Sequence, residues 1–255
     1  FALAVAEKQI YRVRLIARGE PGHGSMPHPE SAVTKLIAAL RRIDDAPRPL
    51  RIGPAAKAMF AGIAAAQKFP ASFLLGHLEN LLILKLAAGK LTSQKFTNAV
   101  LRDTVSITIV NAGYQINVIP ESAQAELDCR LLPETDATEF HRWLLSRIED
   151  DSIAVETLQT SPPSGIAPLN GPFYRAVTSI VKKHCPGAGV LPLLMAGATD
   201  GRYWRERGYP AYGFTPMVLE KTDMARVHGI DERISIDNLM LGIRMTKDIL
   251  KTLCA

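Results

Sequence analysis

Four segments with apolar residues at alternate positions, interleaved with two segments of helical spacing, constrain the fold of this chain more than any other feature. Residues 9–17 set Tyr11, Val13, Leu15 and Ala17 against Arg12 and Arg14, and residues 104–110 set Val105, Ile107 and Ile109 against Thr104, Ser106 and Thr108. Residues 123–131 set Ala125, Leu127, Cys129 and Leu131 against Glu126, Asp128 and Arg130, and residues 153–158 supply a fourth strand. A period of two divides each strand between a core face and an open face. Between the first two strands, Val33, Leu36, Ile37, Leu40 and Ile43 form a helical stripe that ends before Pro47 and Pro49. Between the last two, Asp136 opens a helix carrying Phe140, Trp143, Leu144 and Ile148. Strand, helix, strand, strand, helix, strand is the split βαβ order of a ferredoxin-like domain over residues 9–160, with one face of its sheet covered by helices and the other open.

Residues 51–101 interrupt that domain with a helix-forming insertion broken by Pro54, Pro70 and Gly89. Its one histidine, His77, sits among leucines and phenylalanines and reads as a packed or surface residue. The insertion suits either a cover over a site or an extension of an interface. Residues 161–165, Ser-Pro-Pro-Ser-Gly, read as a linker. Beyond it come a helix over 173–184, a buried apolar run over 189–196, a short helix over 199–207, a short strand over 211–214 and a final helix over 237–253. This alternation predicts part of an α/β domain with a central sheet, too short to be a whole domain of enzyme size. The remainder is expected before Phe1, with residues 2–7 as its returning end.

Composition excludes several classes. Hydrophobic residues make up 47% of the 255, which describes a globular protein able to bury a core. Thirty Lys and Arg against 25 Asp and Glu give a formal charge of +5, scattered and without a basic run interleaved with aromatics, so no nucleic-acid partner is expected. The excess suits anionic small molecules instead. The apolar stretch 55–88 is interrupted by Lys57, Lys68, Glu79 and Lys85, which rules out a transmembrane span, and no membrane partner is expected. Cys129, Cys185 and Cys254 are odd in number and lack metal spacing, which points to a reducing, cytoplasmic setting. Residues 1–6 lack the charged start of a secretory signal.

Three loops could carry chemistry. In Arg18-Gly19-Glu20-Pro21-Gly22-His23-Gly24-Ser25, glycines permit tight turns and close approach while presenting an imidazole and a hydroxyl. A plain strand-to-helix turn capped by Ser25 or Ser31 fits the same residues. In Ala198-Thr199-Asp200-Gly201-Arg202-Tyr203-Trp204-Arg205, backbone amides, the Thr199 hydroxyl and the Arg205 fork suit a carboxylate. Asp200 as a helix-end charge and Arg202 and Arg205 as a solvated face fit equally. His228, on a loop with Asp231 and Glu232 close behind, suits a zinc ligand oriented by a neighbouring acceptor, or a helix-entry residue.

The pieces fall in the order of one family. Gly22-His23-Gly24-Ser25, Asn117-Val118-Ile119-Pro120 with Asp128-Cys129-Arg130, Ala198-Thr199-Asp200 with Arg205, and His228-Gly229-Ile230-Asp231-Glu232-Arg233 together resemble the aminoacylase and carboxypeptidase family of dinuclear zinc exopeptidases. Acetylornithine deacetylase and succinyl-diaminopimelate desuccinylase belong to it as well. The likeness covers essentially the whole chain, and Phe214-Thr215-Pro216-Met217 with the helical insertion is most like aminoacylases and carboxypeptidase-S-like members.

The resemblance implies an α/β fold: a ferredoxin-like lid and dimerisation domain at 9–160, inserted in a partial zinc-exopeptidase catalytic domain formed by 1–8 and 161–255. It implies that His23 is lent to the neighbouring subunit's site, where it stabilises an oxyanion, so that a homodimer is part of the mechanism. Asn117, Arg205 and Thr199 are implied to hold substrate, Asp128, Arg130 and Asp200 to support them, and His228 to bind one of two zinc ions, with cobalt or manganese as alternatives. The implied substrate is an N-acyl amino acid or small peptide with a free carboxylate. The family's other metal ligands and its glutamate base have no match, and the chain contains no Glu-Glu pair. These 255 residues are therefore expected to be inactive alone. A non-catalytic dimerisation and substrate-sensing module is the alternative, and an unrelated regulatory domain fused to an α/β piece is a third reading.

Overall fold

A computed structural model describes the chain except for residues 164, 219–222, 224, 225 and 255, so Ser164 of the expected linker lies outside the described residues. Along the chain the strands are β1 (Ala2–Glu7), β2 (Gln9–Arg18), β3 (Gly22–His23), β4 (Thr104–Ala112), β5 (Val118–Ile119), β6 (Ser122–Leu131), β7 (Ala154–Thr160), β8 (Leu191–Met195) and β9 (Gly213–Phe214). The helices are α1 (Ala32–Asp44), α2 (Pro54–Ala65), α3 (Ala71–Gly76), α4 (Leu81–Thr92), α5 (Lys95–Val100), α6 (Ala137–Ile148), α7 (Pro172–His184), α8 (Gly201–Glu206) and α9 (Ile236–Cys254).

The first sheet has the order β4-β6-β2-β7, with every pair antiparallel. This is the split βαβ arrangement. Along β6 the alternation holds residue by residue: Ala123, Ala125, Leu127, Cys129 and Leu131 are buried, and the residues between them are half-exposed. Helices α1 and α6 cover the apolar face through Leu36, Leu40, Ile43, Phe140, Leu144 and Ile148. Ser31 caps α1 by accepting from the Thr34 amide at 3.2 Å, and Asp136 caps α6 by accepting from the Glu139 amide at 2.8 Å. Ile37, expected in the α1 stripe, is exposed. It lies about 100° around the helix from Leu36, at the margin of the buried arc. A second departure is in β4, where Ile107 pairs with Leu127 but Ile109 pairs with Glu126, so Thr108 forms a bulge. Directly paired residues share a face, and the extra residue therefore turns Ile109 to the open side rather than the core.

The second sheet has β1 between a parallel β8 and an antiparallel β9. Leu3 packs with Val177, Val181, Met245 and Ile249 of α7 and α9, whereas Ala6 and Leu194 pack with Met59 and Phe60 of α2. The insertion thus covers part of the second sheet. Among the described residues no helix is long and apolar enough to cross a membrane.

The chain passes from one sheet to the other at Lys8 and Gln9, both buried. The Lys8 ammonium donates to the carbonyls of Ala99 and Arg102, each at 2.8 Å, and to the Thr104 hydroxyl at 3.0 Å. Gln9 donates to the carbonyls of Leu132 and Thr135, each at 2.9 Å. Burial pulls the Lys8 pKa from its ordinary 10.5 down to about 7, and Asp103 only partly opposes the shift. The folded protein holds Lys8 neutral above about pH 7, while the unfolded chain keeps it charged up to about 10.5. The unfolded state binds the extra proton in that window, so stability rises with pH across it. Thermal unfolding followed between about pH 7 and 9 is expected to show this rise, and Lys8→Met to remove Lys8's share of the slope while lowering stability throughout.

Candidate functional site

Strands β2 and β6 are neighbours, and Arg18 at the end of one pairs with Ser122 at the start of the other. The loop leaving β2 and the loop entering β6 therefore emerge side by side. They are joined by a two-residue ladder in which Gly22 pairs with Ile119 and His23 with Val118. The Gly24 amide donates to the Asn117 carbonyl at 2.8 Å, and the Gly19 amide to the Glu121 carbonyl at 3.0 Å. A side chain at position 24 would bring its Cβ within 3.2 Å of the Asn117 backbone, and one at position 19 within 2.3 Å of the Ala32 amide nitrogen. Close approach rather than turn conformation requires a glycine at 19 and favours one at 24. His23 and Asn117 are thus brought together at one end of the β4-β6-β2-β7 sheet.

His23 is exposed. Its Nδ1 lies 2.8 Å from the Ser25 hydroxyl and accepts from the Ser25 amide at 3.2 Å. An amide can only donate, so Nδ1 is the acceptor and the neutral ring carries its proton on Nε2. The arrangement presents an outward N–H donor on an anchored loop, the group needed by an oxygen that is gaining negative charge.

Asp128 and Arg130 stand on the open face of the β4-β6-β2-β7 sheet. Arg130 donates from Nε to Oδ1 at 2.7 Å and from a terminal nitrogen to Oδ2 at 3.0 Å, and Arg12 approaches Oδ2 at 3.4 Å. Burial opposes ionisation of Asp128, but the bonds and charges of Arg130 and Arg12 together outweigh it and hold the carboxyl below its usual range. The pair sits toward the sheet-crossing end: Asp128 is six residues along β6 from Ser122, roughly 20 Å. Between them Cys129 faces the core, where burial pushes its thiol up to about 12 and leaves it inert.

Thr199 and Arg205, expected to hold a substrate's carboxylate, are both engaged with Glu7 of the chain itself. The Thr199 amide and the Arg205 guanidinium both donate closely to Glu7, the Thr199 hydroxyl donates to it at 3.2 Å, and Arg205 also donates to the Ala211 carbonyl at 2.8 Å. Arg205 and Glu7 are buried. Burial lowers the Arg205 pKa, and Glu7 opposes that shift. Arg202 is also buried, which removes the solvated-face reading of both arginines. It stacks on Tyr203 at 4.6 Å, donates to the Tyr203 hydroxyl at 3.1 Å, and has no carboxylate within ion-pair reach among the described residues. Asp200 is exposed at the start of α8, and its side chain makes no capping bond.

His228 is exposed, with φ at 62°, on a loop tied by Arg226 and Arg233 to Asp231 at 3.2 and 3.1 Å. Among the described residues no three His, Cys, Asp or Glu side chains converge as a metal site requires, so the groups present do not fit a dinuclear centre. Sequence reasoning passed over Glu7 and Lys8, because an isolated charge at the end of an apolar strand reads as a boundary.

Residues 5–155 match the profile of the peptidase dimerisation domain of the M20 peptidases. The chain belongs to that family. Over 241 residues it is 30% identical to N-fatty-acyl-amino acid synthase/hydrolase PM20D1 of Mus musculus, covering 92% of this chain and 47% of that protein. It is 28% identical over 238 residues to probable carboxypeptidase S-like 2 of Dictyostelium discoideum, covering 93% and 45%. Aminoacylase-1 of Homo sapiens is 28% identical over 156 residues, 60% of this chain and 37% of that protein. The chain spans about half the length of the first two relatives. In fold it is similar to the M20 family metallo-carboxypeptidase Sso-CP2 of Sulfolobus solfataricus, with a TM-score of 0.64 at 17% identity over 98% of this chain and 60% of that one. The di-peptidase Dug1p of Saccharomyces cerevisiae gives a TM-score of 0.64 at 14% identity over 98% and 55%.

In this M20 chain the β1–β8 sheet is tied to α8 by Glu7. Removing the charge from Glu7 leaves Arg205 buried and unpaired, so Glu7→Gln is expected to cost about 3–5 kcal/mol in urea unfolding.

Proposed function

We propose that the protein is a metal-dependent amidohydrolase or exopeptidase that cleaves an N-acyl amino acid or small peptide bearing a free carboxylate, and that it acts as a homodimer. The observation that carries this reading is the joined loop pair that holds Asn117 beside His23 with its Nε2–H outward. Residues 9–160 are taken as the lid, and 1–8 with 161–255 as parts of the catalytic domain. The name of the murine relative supports including N-fatty-acyl amino acids among the substrates.

In amide hydrolysis the attacked carbonyl oxygen gains negative charge as water adds to the carbon. His23 donates from Nε2 to that oxygen, which lowers the barrier most where the charge is greatest. Asn117, beside it, holds the substrate's amide or carboxylate. Arg205 is engaged with Glu7 and acts by fixing Thr199 and the turn before α8. Arg202, one turn earlier and without a carboxylate, is the better candidate for the substrate's anion. Asp128 and Arg130 stiffen the open face of the lid. Zinc, or cobalt or manganese in its place, is assigned on family membership, with His228 as one donor; the residues described here do not complete such a centre.

Two features support the homodimer. Strand β4 is a sheet edge with Ile107, Ile109 and Val110 exposed, and an apolar edge is a template for pairing with a second strand. Tyr114 and Ile116, beside Asn117, are almost wholly exposed, as residues that meet a neighbouring subunit are in an isolated chain. The three free cysteines support a reducing, cytoplasmic setting.

Steady-state kinetics of the intact protein on a panel of N-acyl amino acids tests the reading. His23→Ala is expected to lower kcat about 100- to 1000-fold with little change in KM. Full turnover by that variant would remove His23 from the mechanism, and substrate binding without turnover by the wild type would favour the sensing module.

A further inference from the structure

Residues 51–101 contain Arg51, Lys57, Lys68, Lys85, Lys90 and Lys95 against one acid, Glu79, a balance of +5. This equals the formal net charge of the whole chain, so everything outside the insertion balances to zero. The basic residues are spread along the chain, but their net excess falls in the insertion. Glu79 is paired with Lys57, and among the described residues no carboxylate lies within ion-pair reach of Lys68, Lys85, Lys90 or Lys95.

The same segment has an apolar outer surface. Leu84 and Leu91 of α4 are buried against the insertion's own core. At about 100° per residue, Leu82, Lys85, Leu86 and Lys90 fall together on the opposite half of the helix. Leu82 is 77% exposed and Leu86 79%, and Phe69, just before α3, is 81% exposed. A helix that is apolar on both faces is normally buried on both, yet among the described residues Leu82 and Leu86 of the outer one stay exposed.

Charge selects the occupant. A second copy would set +5 against +5. A surface with anionic headgroups over an acyl interior takes both features at once, since leucines enter the acyl boundary while lysines reach phosphates. We propose that the outer face of the insertion docks on an anionic phospholipid surface, with Leu82 and Leu86 inserted and Lys85, Lys90 and Lys95 at the headgroups. The proposal revises the expectation of no membrane partner; it concerns peripheral contact, not a span, and is independent of the activity assigned above.

The test is co-sedimentation of the intact protein with vesicles of phosphatidylcholine alone and with about 30% phosphatidylglycerol, at low salt and at about 0.5 M salt. Binding is expected to require phosphatidylglycerol and to fall at high salt. The Lys85→Ala/Lys90→Ala/Lys95→Ala variant is expected to bind about 100-fold more weakly, from about a fivefold loss per lysine. Leu82→Glu/Leu86→Glu is expected to abolish binding while leaving the mass by light scattering unchanged. The proposal is overturned by absence of binding, by equal binding to phosphatidylcholine alone, or by variants that bind like wild type. A leucine variant that changes the oligomeric mass while vesicle binding persists would assign the face to a second copy and overturn it as well.

Discussion

The short ladder between residues 22–23 and 118–119 is the interaction on which the rest of the candidate site depends. His23 and Asn117 are 94 positions apart, with α1 and the whole insertion between them. They meet because β2 and β6 are adjacent and antiparallel, so that the end of one and the start of the other share an edge of the sheet. The ladder alone is too short to be stable in isolation. It is held by the sheet below it and by amide bonds from Gly19 and Gly24 that flank it. Packing of α1 and α6 on the sheet thus fixes, from a distance, where a single imidazole stands.

A second constraint lies where the chain crosses between sheets. Three successive buried polar residues each fasten a different part of the molecule: Glu7 holds Thr199 and Arg205, Lys8 holds the backbone at 99 and 102 and the Thr104 hydroxyl, and Gln9 holds the backbone at 132–135. Asp103 extends the network, accepting from the Leu132 amide at 2.7 Å, the Thr135 hydroxyl at 2.8 Å and Arg48 at 3.3 Å. Buried polar groups tolerate few alternative arrangements once every member has its partner. The crossing is therefore a densely hydrogen-bonded joint between the β4-β6-β2-β7 sheet and the β1–β8 sheet.

The elements that were legible in sequence are those whose burial repeats with a period. β6 alternates residue by residue, and α1 and α6 carry their stripes and caps where Ser31 and Asp136 predict them. The bulge at Thr108 was not legible, because one inserted residue reverses a face without altering composition. Glu7, Lys8 and the commitment of Arg205 to Glu7 were not legible either. They are pairings between segments about 90 to 200 positions apart, which leave no local pattern. A family likeness singled out His23 and Asn117 separately, and their proximity emerged only with the strand order.

The central claim is that the donor at position 23 serves a site completed by the neighbouring subunit. Mixing inactive His23→Ala and His228→Ala forms of the intact protein, under conditions that exchange subunits, tests it most directly. If the donor crosses the interface, each mixed dimer contains one complete site, and random exchange restores about a quarter of wild-type activity. If His23 serves its own chain, no mixed dimer contains a complete site, and activity stays at the level of the separate variants.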